Sequence, residues 1–290
     1  MLNFAARQAG RLAVGILGTV AIAAAISAIA EPRAHGLLPF LEAAASRLAH
    51  FLQFNLGTSA ITGLSAAHEL GQRLPPTLLL VLGGGAIALV VGVPLGLLFG
   101  AGPVRRAAAP LMQIVTAAPV FCAGLALAYG AGHLLHWPLS VNMPSGAPVA
   151  PDEALRIAAL PVLTVGLAGA AAVQLALRRA ASLSSGAAFR TGLKRLGLGA
   201  LEIERLYVVP QVLAGLVASA GEIMLALLSA AVVAEWVFNR PGAADLFVKS
   251  VALHDWNMTA LILVVFAGLS FATDFLGSLA GFVFANEGQP

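Results

Sequence analysis

The chain has 290 residues, of which 59% are hydrophobic and 10% are charged, and its formal net charge at pH 7 is +3. A soluble domain typically carries about a quarter charged residues, so this composition excludes an ordinary soluble fold. Basic residues without interleaved aromatics exclude a nucleic-acid stacking surface. The single cysteine, Cys122, excludes an internal disulfide framework and a multi-cysteine metal site, and its apolar neighbours predict a small core residue.

Six apolar stretches are long enough to cross a bilayer, which takes roughly 20 residues each. In chain order they lie near 11–30, 76–101, 108–134, 157–177, 209–234 and 258–284. The first is too long for a typical signal peptide and is interpreted as an uncleaved anchor. The sequence therefore predicts an all-α, polytopic integral membrane protein of one domain, 1–290, with about six transmembrane helices.

The segments between the spans predict the orientation. Residues 31–75 are expected outside, with an interfacial helix at 36–54, and residues 178–209 form a charged loop on the other side. With the N-terminus inside, the cytosolic segments hold ten of the sixteen Lys and Arg residues, as the positive-inside rule requires. We expect both termini in the cytosol.

The charged loop contains a glycine-to-proline spacing. It reads T-G-L-K-R-L-G-L-G-A-L-E-I-E-R-L-Y-V-V-P from Thr191 to Pro210, with Gly197 thirteen residues before the proline. Glycine permits a tight turn and proline is tolerated at a helix start. The pattern resembles the E-A-A-x-x-x-G loop of ABC importer permeases, with Thr191, Gly192 and Leu193 in place of the E-A-A triplet.

Further motifs in the same order resemble the dipeptide/oligopeptide/nickel branch of that family. They are L-G-T-S at 56–59, R-L-P-P-T-L at 73–78, G-V-P-L-G at 92–96, P-V-F-C-A-G at 119–124, L-P-V-L-T at 160–164, A-E-W-V-F-N-R-P-G at 234–242 and Asp255-Trp256. This resemblance implies a type I ABC importer permease fold in a bacterial inner membrane. It also implies a second homologous permease chain, two ATPase subunits, an external solute-binding protein and contact with membrane lipid as partners.

The resemblance implies three groups of site residues. The expected ATPase-coupling residues are Thr191, Lys194, Arg195, Gly197, Glu202 and Pro210. The expected translocation path includes Phe121, Gln174, Ser219 and Glu222, although Glu222 could equally be a helix-packing residue. The expected contacts for the binding protein are Glu235, Phe238, Arg240, Asp255 and Trp256.

No G-x-x-x-x-G-K-[ST] phosphate loop occurs in the chain. We therefore expect no cofactor here, with ATP and Mg bound by partner ATPase subunits, and no enzymatic activity in this chain. His133 and His136 could share a helix side, but two histidines without a third ligand favour hydrogen bonding over a metal site. An ion-gradient-driven transporter using Glu222 or Asp274, and a non-transporting scaffold, remain the alternatives to a permease for peptides or related small solutes.

Overall fold

The computed structural model describes residues 2–29, 36–53, 55–98, 119–134, 151–184 and 187–287. Their regular structure is helical apart from one isolated β-bridge between Thr58 and Ser65. The helices are α1 (Leu2–Ala28), α2 (Leu37–Leu52), α3 (Ala66–Leu98), α4 (Val120–Leu134), α5 (Pro151–Ser184), α6 (Ala187–Arg195), α7 (Ala200–Ile203), a π turn (Glu204–Val208), α8 (Val209–Ala218), α9 (Ala220–Val237), α10 (Ala243–Ala252) and α11 (Trp256–Glu287).

Five of these helices are long and apolar enough to cross a membrane, which confirms the predicted all-α, polytopic fold. The five segments are Asn3–Ala28, Ala66–Gly96, Ile157–Ala181, Ala220–Val237 and Trp256–Phe284. The predicted span at 108–134 is represented by α4, a shorter apolar helix, because residues 108–118 lie outside the described residues.

Two predicted boundaries change. The second spanning helix begins at Ala66, ten residues earlier than predicted, because its first turns carry Glu69 and Arg73 and hydropathy marks only the apolar part. The predicted span at 209–234 is two helices, since Ser219 leaves the helical conformation (φ −94°, ψ 13°) between α8 and α9.

The start of α1, the end of α11 and the charged loop lie at the same end of the bundle. The rings of Phe4 and Phe282 stack with centroids 4.3 Å apart, so the start of α1 lies beside the end of α11. Gly277 of α11 meets Val217 and Gly281 meets Ala214, so α8 runs antiparallel to α11 and begins at the same end. We call this the inner end and the opposite one the outer end.

The external segment predicted before the second span contains the expected helix. None of the side chains of α2 is buried, and the helix packs against α1. Arg47 Nη1 donates a hydrogen bond of 3.3 Å to Asn257 Oδ1, which links α2 to the start of α11 at the outer end.

The spanning helices approach one another closely at glycines. A Cβ on Gly84 of α3 would lie 2.5 Å from Val165 of α5, and one on Gly92 would lie 3.0 Å from Val173. Because glycine has no side chain at these positions, Val165 and Val173 pack directly against the backbone of α3, and α3 and α5 form one tightly packed pair.

Candidate functional site

The coupling segment, defined here as residues 191–210, begins with a glycine-terminated helix. Gly197 has φ +87°, a conformation that costs other residues about 1–2 kcal/mol. Gly197 N–H donates to the Lys194 carbonyl oxygen at 3.0 Å, and Leu198 N–H donates to the Leu193 carbonyl oxygen at 3.3 Å. These two bonds form a Schellman motif that ends α6. The glycine turn predicted from the sequence is present.

Glu202 and Pro210 shape the second half of the coupling segment. The backbone N–H of Gly199 donates to Glu202 Oε2 at 2.8 Å, so this carboxylate caps the start of α7. Pro210 lies in the first turn of α8, directly after the π turn. Proline has no N–H to continue an α-helical ladder, and the wider turn before it takes up that interruption.

One face of the coupling segment is fastened to the spanning helices. Ile203, Val208 and Val212 are buried in one apolar cluster with Val173 and Leu177 of α5. Leu193 and Leu198, the two residues joined by the Schellman hydrogen bond, pack against the same cluster. The segment is therefore packed directly against α5 and α8.

The other face of the coupling segment is exposed and mixes charge with leucine. The side chains of Thr191, Lys194, Arg195 and Glu202 are exposed. Leu196, Leu201 and Leu206 are also exposed, at 79%, 70% and 59%. Sequence reasoning missed these leucines, although three apolar residues within a charged loop were a visible signal. Apolar side chains surrounded by charged ones are typical of a surface that binds another protein.

A buried carboxylate organises the outer end. Glu235 is 0% exposed, and its Oε1 accepts a hydrogen bond of 2.5 Å from the Thr77 hydroxyl. Its Oε2 accepts one of 2.7 Å from Asp245 N–H, while Ala243 N–H donates to the Thr77 oxygen at 2.8 Å. A Cβ on Gly242 would fall on the Glu235 carboxylate, so only glycine fits there. This network joins α3, α9 and α10.

A second buried carboxylate lies nearby. Asp255 Oδ2 accepts hydrogen bonds from the Ser59 hydroxyl at 2.5 Å and from Ala60 N–H at 3.1 Å. Its Oδ1 accepts from Met258 N–H at 3.2 Å, in the first turn of α11. The L-G-T-S segment is therefore tied to the start of the last spanning helix.

Burial changes the interpretation of three expected contact residues. Glu235, Phe238 and Asp255 are all buried, so their side chains are not available for direct contact with a binding protein in this structure. They hold the surrounding loops in place instead. Arg240 and Trp256 are partly exposed, and Trp236, which sequence reasoning did not select, is 68% exposed.

Arg240 is held beside the Glu235 network. Burial lowers the pKa of its guanidinium, and the negative charge of Glu235 opposes this shift. Its Nη1 is buried and has no hydrogen-bond partner in the part of the chain that the structure describes. The side chain thus keeps one donor unused at the outer end.

The expected path residues lie in different environments. Phe121 is exposed, whereas Gln174 is 4% exposed and faces neighbouring helices in this structure. Ser219 marks the break between α8 and α9, and its hydroxyl donates to the Gly215 carbonyl oxygen at 3.0 Å. Glu222 is exposed and its Oε2 lies 2.5 Å from Arg179 Nη1. Sequence reasoning had counted Arg179 only as a cytosolic base.

The cysteine prediction is wrong, because Cys122 is exposed on α4 rather than buried in the core. Its apolar neighbours indicated a hydrophobic helix, and in a membrane protein such a helix also has an exposed apolar side. Within the described ranges no group of three or more His, Cys, Asp or Glu side chains could hold a metal ion. His136 of the histidine pair lies outside those ranges.

Comparison with known proteins gives a family and a fold. A search of curated proteins finds no match. A crystal structure described as an amino acid ABC transporter with histidines aligns with 73% of this chain and 92% of its own, at 17% identity and a TM-score of 0.54. At that identity the likeness shows the fold alone. Residues 88–280 match the family described as binding-protein-dependent transport system inner membrane component.

The family match favours an ABC permease over the ion-gradient and scaffold alternatives. Members of the family are membrane subunits that do not themselves catalyse a reaction, and they associate with ATPase and binding-protein partners. The five candidate spanning helices among the described residues, together with the family match, indicate a multi-pass inner-membrane protein. The chain therefore belongs to the binding-protein-dependent transport system inner membrane component family, the inner-membrane permeases of ABC transporters.

Proposed function

We propose that this chain is a permease subunit of an ATP-driven importer for peptides or related small solutes. It forms the translocation path with a second homologous permease chain. Two ATPase subunits, which bind ATP and Mg, act on it from the cytosol, and an external binding protein delivers the solute. The ordered motifs of the dipeptide/oligopeptide/nickel branch support the peptide assignment.

The coupling segment carries this proposal. One face of the segment is fixed in the apolar cluster with α5 and α8. The opposite face exposes Leu196, Leu201 and Leu206 among charged side chains. An ATPase groove that takes up these leucines would grip the segment through apolar contact, while the charges fix its orientation. Closure of the ATPase pair then displaces the segment.

The packing supports a mechanism by which closure of the ATPase pair moves the spanning helices. A displaced coupling segment carries α5 and α8 with it, because Ile203, Val208 and Val212 share one cluster with α5. The close glycine contacts between α5 and α3 pass the movement on to α3. Rocking of these helices alternates access to a path on the exposed faces near Phe121 and Glu222.

At the outer end, we assign binding-protein contact to the exposed surface around Trp236, Arg240 and Trp256. Glu235, Phe238 and Asp255 support that surface from beneath.

A charge introduced among the exposed leucines tests whether they bind the ATPase. Leu201→Glu places a charge at the centre of the exposed leucines and should abolish co-purification of an ATP-binding subunit in mild detergent. Leu253→Glu is the matched control, because Leu253 is a similarly exposed leucine (60%) at the outer end. Equal recovery of the ATPase with both variants, or no ATPase with the unmodified chain, would contradict the proposal.

Orientation is tested by thiol labelling. We propose that the inner end, with both termini, faces the cytosol. In a Cys122→Ala background, an impermeant maleimide should label Trp236→Cys in intact cells and Leu196→Cys only in inside-out vesicles. Both positions are highly exposed, at opposite ends of the bundle. The reverse labelling pattern would place the coupling segment outside and remove the basis of the proposal.

A further inference from the structure

One ion pair has no evident role in holding the fold together. Arg179 of α5 and Glu222 of α9 meet at 2.5 Å, yet their side chains are 56% and 64% exposed. By contrast, Glu235 on the same helix is fully enclosed by hydrogen-bond donors. An exposed ion pair of this kind contributes little to stability, so its presence calls for another reason.

The pair lies within the membrane-spanning part of the bundle. A Cβ on Gly215 would lie 2.5 Å from Ala180, so these residues are at one level, and Glu222 is seven residues further toward the outer end. Seven helical residues rise roughly 10 Å. Arg179 turns toward this carboxylate, along the direction in which helical side chains lean, instead of extending to the inner surface.

Such a pair does not face lipid, because charged side chains on a lipid-facing surface of a span are costly and rare. It faces water or protein on the exposed side of α5 and α9. Under the proposed function, that side is the wall of the solute path, and this inference rests on that proposal.

We infer that Arg179 and Glu222 form a recognition site for zwitterionic solutes, which carry one free carboxylate and one free ammonium group. The guanidinium of Arg179 offers planar paired donors that suit a carboxylate. The carboxylate of Glu222 accepts hydrogen bonds from an ammonium group. A zwitterion replaces the internal ion pair with two new ones, and the pair separates as the solute enters.

Charge balance sets the selectivity. A zwitterion leaves neither Arg179 nor Glu222 without a counter-charge. An anion pairs with Arg179 but brings a like charge to Glu222, and a cation pairs with Glu222 but brings a like charge to Arg179. Like charges brought within a few ångströms of each other repel. The site therefore selects peptides and amino acids with both termini free.

Three dipeptide probes test the inference. Glycylglycine is a zwitterion, N-acetylglycylglycine is an anion and glycylglycine amide is a cation of similar size. The chain is purified with its co-purifying subunits and without binding protein, and its unfolding is followed by tryptophan fluorescence. Saturating glycylglycine should raise the Tm by about 2–4 °C. Each blocked probe should bind at least about tenfold more weakly.

Neutral variants should then change the order of preference. Glu222→Gln removes the negative charge beside Arg179 and should favour N-acetylglycylglycine, whereas Arg179→Gln removes the positive charge beside Glu222 and should favour glycylglycine amide. Arg178→Gln is the matched control, because Arg178 is an exposed neighbour of the same charge on the same helix. It should keep the preference for glycylglycine. A purely structural ion pair would lose stability in both variants without exchanging their preferred probes.

The inference is overturned if glycylglycine does not stabilise the unmodified protein, or if neither single variant changes the order of the three probes. Its failure is separate from failure of the proposed function. The latter shows as absence of an ATP-binding subunit in the purified material, whichever probes bind.

Discussion

The inner and outer ends of the bundle place their charged residues in opposite ways. At the outer end, Glu235 and Asp255 are buried and their oxygens accept hydrogen bonds from several segments. At the inner end, Lys194, Arg195 and Glu202 point outward, and leucine and valine side chains provide the attachment beneath them. Buried charge fixes one arrangement of the chain, whereas exposed charge leaves a surface for a partner.

This difference separates two requirements of an importer permease. The outer end has to keep a defined shape where several segments meet, and a half-satisfied carboxylate network would be unstable. The inner end has to be stiff as a unit and still accessible. Apolar packing on one face of the coupling segment meets both needs, because it leaves the other face free.

Two glutamates on α9 give the largest expected contrast. Glu235→Ala leaves Thr77 and Asp245 N–H without an acceptor and Arg240 without its counter-charge, and should destabilise the protein by about 3–5 kcal/mol. Glu222→Ala, on the exposed side of the same helix, should cost less than about 1 kcal/mol. Thermal unfolding in detergent measures both. Equal losses of stability in the two variants would show that the hydrogen bonds around Glu235 contribute no more to stability than the exposed Glu222 ion pair.

Two exposed glycines of the coupling segment allow the role of its turn to be tested. A Cβ at Gly197 or at Gly192 would meet no atom within 4 Å, so the two positions differ in backbone conformation and not in space. Gly197→Val should cost about 1–2 kcal/mol locally, because valine is strained at φ +87°. It should uncouple ATP hydrolysis from uptake while the chain still inserts. Gly192→Val lies inside α6 and should leave coupling intact. Unchanged uptake with both would remove the role of the turn.

Hydroxyl deletions probe the second carboxylate. Ser59→Ala removes one of the donors to Asp255 and should cost about 1–2 kcal/mol, measured again as a loss of thermal stability. Ser229→Ala serves as the comparison, because the exposed Ser229 hydroxyl donates only to the Leu225 carbonyl oxygen of its own helix. A similar small loss for both would mean that the Ser59 link is not specific.

The smallest effect is expected at the cap of α7. Glu202→Gln keeps the side-chain length but weakens the charge-assisted bond from Gly199 N–H, at a cost of about 0.5 kcal/mol. We expect normal ATPase recovery and a modest decrease in the ratio of uptake to hydrolysis. A complete loss of coupling would instead indicate that Glu202 contacts the ATPase directly.

The sequence predicted the features that depend on local composition. Hydropathy located the spanning helices, and the spacing of Gly197 and Pro210 located the turn and the start of α8. Boundaries failed where the helix continues through polar residues, as at Glu69 and Arg73 of α3. Hydropathy has no information about such turns.

Contacts between distant segments could not be predicted. Thr77 and Glu235 are 158 residues apart, and Ser59 and Asp255 are 196 apart, so no local pattern pairs them. An acid and aromatic residues at the end of a span usually indicate a surface at the membrane–water interface, but here the acid, Glu235, is buried. For the same reason Arg179 was counted as a cytosolic base, although it reaches Glu222 on another helix.

The interruption at Ser219 has a consequence for how movement spreads through the bundle. Above it, α9 is anchored by Glu235 to α3 and α10, and below it α8 shares one apolar cluster with the coupling segment. A break in the helical ladder bends more easily than the helices beside it. We expect a push from the cytosol to pivot the chain at Ser219, three residues from Glu222. The outer end can then keep its shape while the inner end moves.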